Sequence, residues 1–82
     1  MLIPVEGLTP SVVKMVQILA DGRYHKFSEI QDKYDKYLTV SGIHNAIAMT
    51  KGQLRMRGFS IVNEQFEGQS QYRLVRYLDT DD

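Results

Sequence analysis

The segment Thr39–Ile61, TVSGIHNAIAMTKGQLRMRGFSI, decides the fold. From Gly42 to Gly58 the residues Ile43, Ile47, Thr50 and Leu54 recur at three- and four-residue steps, with Ala46 at their margin. That spacing predicts a long helix with one side turned inward. His44, Asn45, Ala48, Lys51, Gly52 and Arg55 fall on the opposite side, and Ser41 offers a capping hydroxyl. After Gly58 the period changes from about 3.6 to 2. Phe59 and Ile61 alternate with polar neighbours, and Tyr72 and Leu74 do so again beyond a polar loop, Asn63–Ser70, that carries Gly68. The pattern is that of an antiparallel hairpin.

Toward the N-terminus, Leu38-Thr39-Val40 interrupts the helical pattern. Before it, Ser28 with Gln31 three residues later matches a capping box, so a second helix is expected from Ser28 to about Tyr37. Its apolar positions are Ile30, Tyr34 and Tyr37. Arg23–Phe27 alternates weakly and fits either a short strand or an extended connector. Thr9-Pro10-Ser11 is a helix start, with a hydroxyl to cap and a proline where its missing N–H costs nothing. Val12, Val16 and Leu19, joined by Val13 and Ala20, give that first helix an apolar face, and Asp21-Gly22 stops it. The expected organisation is an extended N-terminal arm over 1–8, one domain over 9–77, and an acidic tail over 78–82.

Composition narrows the function. The 82 residues hold ten Lys plus Arg, ten Asp plus Glu and no cysteine, with 43% hydrophobic residues. One small domain of ordinary globular usage is implied. No apolar run nears the roughly 18 residues of a membrane span, and no leader pattern opens the chain. Without cysteine there is no disulfide framework, thiolate zinc site or thiol nucleophile. A chain this short buries about 60–65% of its unfolded surface, which leaves little room for a large substrate cavity.

The zero net charge conceals an uneven distribution. Between Asp35 and Glu64 there is no carboxylate, while Lys36, Lys51, Arg55 and Arg57 fall in that gap. Glu29, Asp32 and Asp35 cluster before it, Glu64 and Glu67 beside Gly68, and Asp79, Asp81 and Asp82 in the tail. The tail is expected to fray and to add little to the surface potential. Without it the domain is modestly basic.

Helix, short extended piece, helix, helix, hairpin is an order similar to that of the winged helix-turn-helix family of DNA-binding domains. The resemblance covers about Thr9 to Tyr77. It rests on Phe27-Ser28-Glu29-Ile30 opening the second helix and Thr39-Val40-Ser41-Gly42-Ile43 entering the third. Leu54-Arg55-Met56-Arg57-Gly58-Phe59 resembles the family's exit from recognition helix to wing, and Gln71-Tyr72-Arg73-Leu74 its returning wing strand. The fold so implied is α+β: three helices, then a two-stranded wing. The third helix would enter the major groove of double-stranded DNA, its first half nearest the bases. Thr39, Ser41, His44, Asn45, Ala48, Lys51 and Arg55 would then face DNA, with Gln69 and Gln71 on the wing. Ser28, at a helix N-terminus, would hold a phosphate.

The side-chain chemistry suits this role independently. Asn pairs with adenine in bidentate fashion, Arg or Lys with guanine, and an alanine methyl meets a thymine methyl. The wing departs from the family pattern, because Glu64 and Glu67 stand where Arg or Lys is usual. Few phosphates would be neutralised, so a homodimer on paired half-sites is expected, through the first helix or the arm.

Plainer readings stand beside each feature. Charges at the spacing of Lys51, Arg55 and Arg57 commonly mark a solvated helix side. Tyr24, Tyr34, Tyr37, Tyr72 and Tyr77 read as half-buried packing, and Met49 and Met56 as exposed or part of a partner surface. His25 and His44 are far apart with no partner ligands in metal spacing, and no nucleophile triad or phosphate loop is present. No enzyme, metal or cofactor is expected. The reading is a small cytoplasmic transcriptional regulator, nucleoid-associated if bacterial or phage. The alternative is a winged-helix protein–protein module in a transcription or other nucleoprotein complex, without direct DNA readout.

Overall fold

The computed structural model describes residues 3–76. Tyr77, the acidic tail and the first two residues of the arm therefore lie outside the described chain. Three helices, α1 (Pro10–Leu19), α2 (Phe27–Asp35) and α3 (Val40–Arg55), pack on an antiparallel sheet. Its strands are β1 (His25–Lys26), β2 (Phe59–Phe66) and β3 (Gln69–Arg76), ordered β1-β3-β2. The molecule is thus a small α+β globule. Arg23–Phe27, ambiguous in sequence, resolves into a two-residue strand that runs straight into α2.

Periodicity set the helix faces. α3 buries Ile43, Ala46, Ile47, Thr50 and Leu54, the side expected from spacing. Thr50 is accommodated because its hydroxyl donates to the Ala46 carbonyl at 2.7 Å, leaving no unpaired polar group inside. α1 contributes Val12, Met15, Val16 and Leu19, and α2 contributes Ile30 and Tyr34. Met15 takes the inward place that Val13 and Ala20 were expected to share; both of those are only half-buried. Phe59, Ile61, Tyr72 and Leu74 close the core from the sheet.

Helix starts differ from expectation. α2 begins one residue before Ser28, with Lys26 at the cap, and no side-chain cap bond forms there. The Ser28–Gln31 box is therefore absent: β1 already fixes the chain up to Lys26, and Gln31 instead donates to the Leu38 carbonyl. At α3 the cap is Thr39, whose hydroxyl oxygen accepts from the Gly42 amide at 3.0 Å, so Ser41 lies inside the helix. Thr9 stands at the start of α1, but its hydroxyl makes no cap bond. α2 ends at Asp35, whose carboxylate accepts the Tyr37 amide, and Tyr37 is 88% exposed rather than apolar packing. Leu38 packs against the core in its place.

The largest departure is the hairpin. Asn63–Ser70, expected to be a loop, is strand except for Glu67-Gly68, and pairing runs from Phe59↔Arg76 to Phe66↔Gln69. Glu67 and Gly68 both take positive φ, 53° and 79°, as a two-residue turn of the twist-matched type requires. This outer half projects beyond the core, so neither face is buried and no apolar alternation marks it. Gly58, at φ 82°, turns the chain from α3 into β2.

The arm is not extended. A Leu8-to-Val5 backbone bond folds it into a turn, and Ile3 and Leu8 pack on the core. Arg57 clasps it: one guanidinium nitrogen donates to the Glu6 carbonyl at 2.6 Å and another to the Gln53 carbonyl at 3.4 Å.

Candidate functional site

α3 presents one exposed, carboxylate-free side. Ser41, His44, Asn45, Ala48, Lys51, Gly52 and Arg55 are all exposed, opposite the five residues it buries. Two open troughs flank this side. The first, about 430 Å³, is lined by Lys26, Phe27, Ser28, Val40, His44, Gln69 and Ser70. The second, about 250 Å³, is lined by Ala48, Lys51, Gly52, Arg55 and Ser60. Neither is an enclosed cavity, which fits an extended polymer or a protein edge better than a small substrate.

The expected residues thus divide into groups. Ser28, His44 and Gln69 converge on the first trough from α2, α3 and β3. Ala48, Lys51 and Arg55 line the second. Ser41 and Asn45 are exposed on α3 outside both linings, and Thr39 uses its oxygen to cap the helix. Gln71 is half-buried in β3, paired across the sheet with Glu64 on one side and Lys26 on the other.

His44 is held in place. Its ring stacks on Phe27, with centroids 4.7 Å apart and planes at 30°, and Phe27 in turn leans on Tyr72 at 6.2 Å. Stacking on Phe27 covers one face of the imidazole and fixes its orientation at the trough. Ser28, released from capping, lies in the first turn of α2 beside it. First-turn amides and the helix dipole favour an anion there.

The basic gap seen in sequence does not become one patch. Of its four cations, Lys51 and Arg55 belong to the α3 side, while Arg57 is bound to the arm and Lys36 sits over the Tyr37 ring at 5.5 Å. Lys26, outside the gap, joins the trough instead because β1 pairs with β3. Sequence spacing gave no sign of Lys26 or Ser60 as lining residues, since sheet register brings them in, nor of Val40, which opens α3.

A second polar cluster went unread in the sequence. His25 is 6% exposed and hydrogen-bonds at both ring nitrogens: Nε2 to Asp21 at 2.8 Å and Nδ1 to Glu29 at 2.7 Å. Lys33 extends the chain, 3.0 Å from the same Glu29 oxygen. Burial is the largest single influence on His25 and pushes its pKa down, but the two carboxylates together outweigh it and the net shift is upward. Asp21 is lowered to about 2, chiefly by the Arg23 amide and then by His25. Glu29 is lowered by His25 and Lys33. With carboxylates on both nitrogens the ring is bonded as an imidazolium. It ties the turn after α1 to α2, and among the described residues no group of side chains is arranged to hold a metal ion.

Among the described residues no helix is long and apolar enough to cross a membrane. No protein-family model, curated protein or solved structure matches the chain.

Proposed function

We propose that the protein is a winged-helix domain that binds double-stranded DNA through α3, acting as a small transcriptional regulator. The observation that carries this reading is the continuous exposed side of α3, rich in donors and free of carboxylates, flanked by two open troughs. α3 enters the major groove, where Asn45 and Ser41 read base edges and Ala48 meets a thymine methyl. Lys51 and Arg55 fix register on phosphate or guanine, and Ser28, Lys26 and His44 meet the flanking backbone. β2 and β3 form the wing. With so few cations, two copies on paired half-sites supply the affinity.

Duplex binding across a salt series tests this. Lys51→Ala with Arg55→Ala should weaken binding at low salt and reduce the slope of log affinity against log salt by about 2. Absence of duplex binding by the unaltered chain at low salt would refute the reading.

A protein-binding role is the second reading, and exposed methionine favours it. Met49 on α3 is 46% exposed, and Met56, just past the end of α3, is 91% exposed. Flexible thioethers suit a partner surface. Loss of partner binding on Met49→Ser with Met56→Ser, with duplex affinity absent throughout, is its expected signature.

A further inference from the structure

His25 fastens the shortest strand of the fold. β1 holds only His25 and Lys26, paired with Tyr72 and Gln71 of β3, and runs straight into α2, whose start has no side-chain cap. Nε2 of the ring meets Asp21, in the turn after α1, at 2.8 Å, and Nδ1 meets Glu29, in the first turn of α2, at 2.7 Å. Each bond needs an N–H on the ring, and only the imidazolium has two. A neutral ring turns a lone pair toward one carboxylate, and that tie becomes a repulsion. Each carboxylate keeps another partner when the ring lets go: Asp21 the Arg23 amide at 2.9 Å, Glu29 the Lys33 ammonium at 3.0 Å. Lys14 of α1 lines the recess beside the ring with Lys33, Arg23 lies beyond Asp21, and Arg73 of β3 donates to the Gly22 carbonyl. These groups, with Lys26 on the same strand, are cations, and they assist loss of the proton.

What the tie holds is a wall of the first trough. Lys26, Phe27 and Ser28 line it, and Phe27 carries the stacked ring of His44. We propose that protonated His25 is a latch that seats β1 and the first turn of α2, and that loss of its proton frees Lys26, Phe27 and Ser28 from the first trough. Opening stays local because the core is closed without β1: its buried apolar residues come from the three helices, β2 and β3. Burial lowers the pKa of the ring, Asp21 and Glu29 together raise it by more, and the net upward shift sets release above 6.5. Duplex binding then weakens as pH rises. That consequence rests on the DNA reading; the latch does not.

Carbon-bound protons report the latch by nuclear magnetic resonance across a pH series. Contacts across His25–Tyr72 and Lys26–Gln71 should weaken as the His25 ring titrates, between about pH 6 and about pH 9, while Ile61–Leu74 contacts persist. Glu29→Gln should hold both contacts throughout, because an amide there donates to the lone pair of the neutral ring while Asp21 accepts its N–H. Contacts that stay unchanged as the ring titrates, a ring that does not titrate by about pH 9, or loss of Ile61–Leu74 contacts in step with the others would overturn the latch. So would equal weakening in Glu29→Gln. Duplex affinity is read in a His44→Gln background, which removes the trough's own imidazole. From about pH 6 to about pH 8.5 it should fall about 3- to 10-fold, and less than about 2-fold once Glu29→Gln is added. Equal falls would overturn the link to binding. If no variant binds duplex, the DNA reading fails and that link with it, while the contacts still decide the latch.

Discussion

His25 shows how much one side chain can depend on its setting. Its ring is almost fully buried yet bonded to a carboxylate at each nitrogen, so the charged form belongs to the folded state. Lys14 and Lys33 line the adjoining surface with Asp21, and Arg23 sits 3.7 Å from Asp21, so like charges also face the site. Its folded pKa lies above the ordinary 6.5. The stability it contributes is therefore complete below that pH and is lost as pH rises through the folded value. Asp21 and Glu29 act in the opposite sense: their contribution is present above 3.8 and 4.5 and lost on acidification through the lowered values, about 2 for Asp21. The fold should be firmest between 4.5 and 6.5. Urea midpoints should fall from about pH 6 to about pH 9 and be nearly flat there in His25→Gln, which should be less stable by roughly 2 kcal/mol at the acidic end. An equal fall in both proteins would show that another group governs the slope.

Elements begin and end where backbone groups find partners. Thr39 and Ser41 are equally plausible caps by residue type, and a hydroxyl two residues earlier moves the helix start with it. The Thr39 oxygen holds the Gly42 amide, while the Ser41 hydroxyl serves no cap. Thr39→Ala should cost about 1 kcal/mol in thermal or urea unfolding and Ser41→Ala little. The reverse order would place the start of α3 at Ser41. The β2–β3 hairpin behaves differently, because its outer half lies beyond the core and is held by strand pairing and a few side-chain contacts. Gln65 donates to the Ser70 hydroxyl oxygen at 2.8 Å, and on the other sheet face Phe66 meets Tyr24 edge-on at 5.1 Å. Arg73 lies 5.6 Å from the same Tyr24 ring, so an aromatic and a cation brace the strand pair where the core gives no support.

For the whole molecule, function turns on where charge is placed in space. Glu64 and Glu67 stay exposed on the β2–β3 hairpin, and Glu64 is two strands from Lys26 across Gln71. If the wing lies along DNA, these carboxylates oppose phosphate. Glu64→Gln with Glu67→Gln should then tighten duplex binding several-fold at low salt, the gain vanishing as salt screens it. Unchanged affinity would place the wing away from the backbone and leave it available to a protein. The linear charge gap overstated the basic side of α3, since Arg57 is spent on the arm and Lys36 on Tyr37. It also missed Lys26, which β1 carries to the first trough.

By itself the sequence determined the order of the three helices and the hairpin and most of the inward side of each helix, with β1 left open between strand and connector. A helix face or strand alternation is a local periodicity, written wherever a segment buries one side. Ile43, Ala46, Ile47, Thr50 and Leu54 were legible for that reason, and so was the exposed row from Ser41 to Arg55. Tertiary structure alone decided which cap was used, how far the hairpin reached, and which polar groups converged. Asn63–Gln65 pairs without burial and so leaves no pattern. Lys26, Ser60 and Ser70 reach the troughs through sheet register. His25 meets Asp21 and Glu29, each four residues away, because a two-residue strand pins it between α1 and α2; the four-residue steps are visible in the chain, but no single helix joins them, so helical periodicity does not predict the contact.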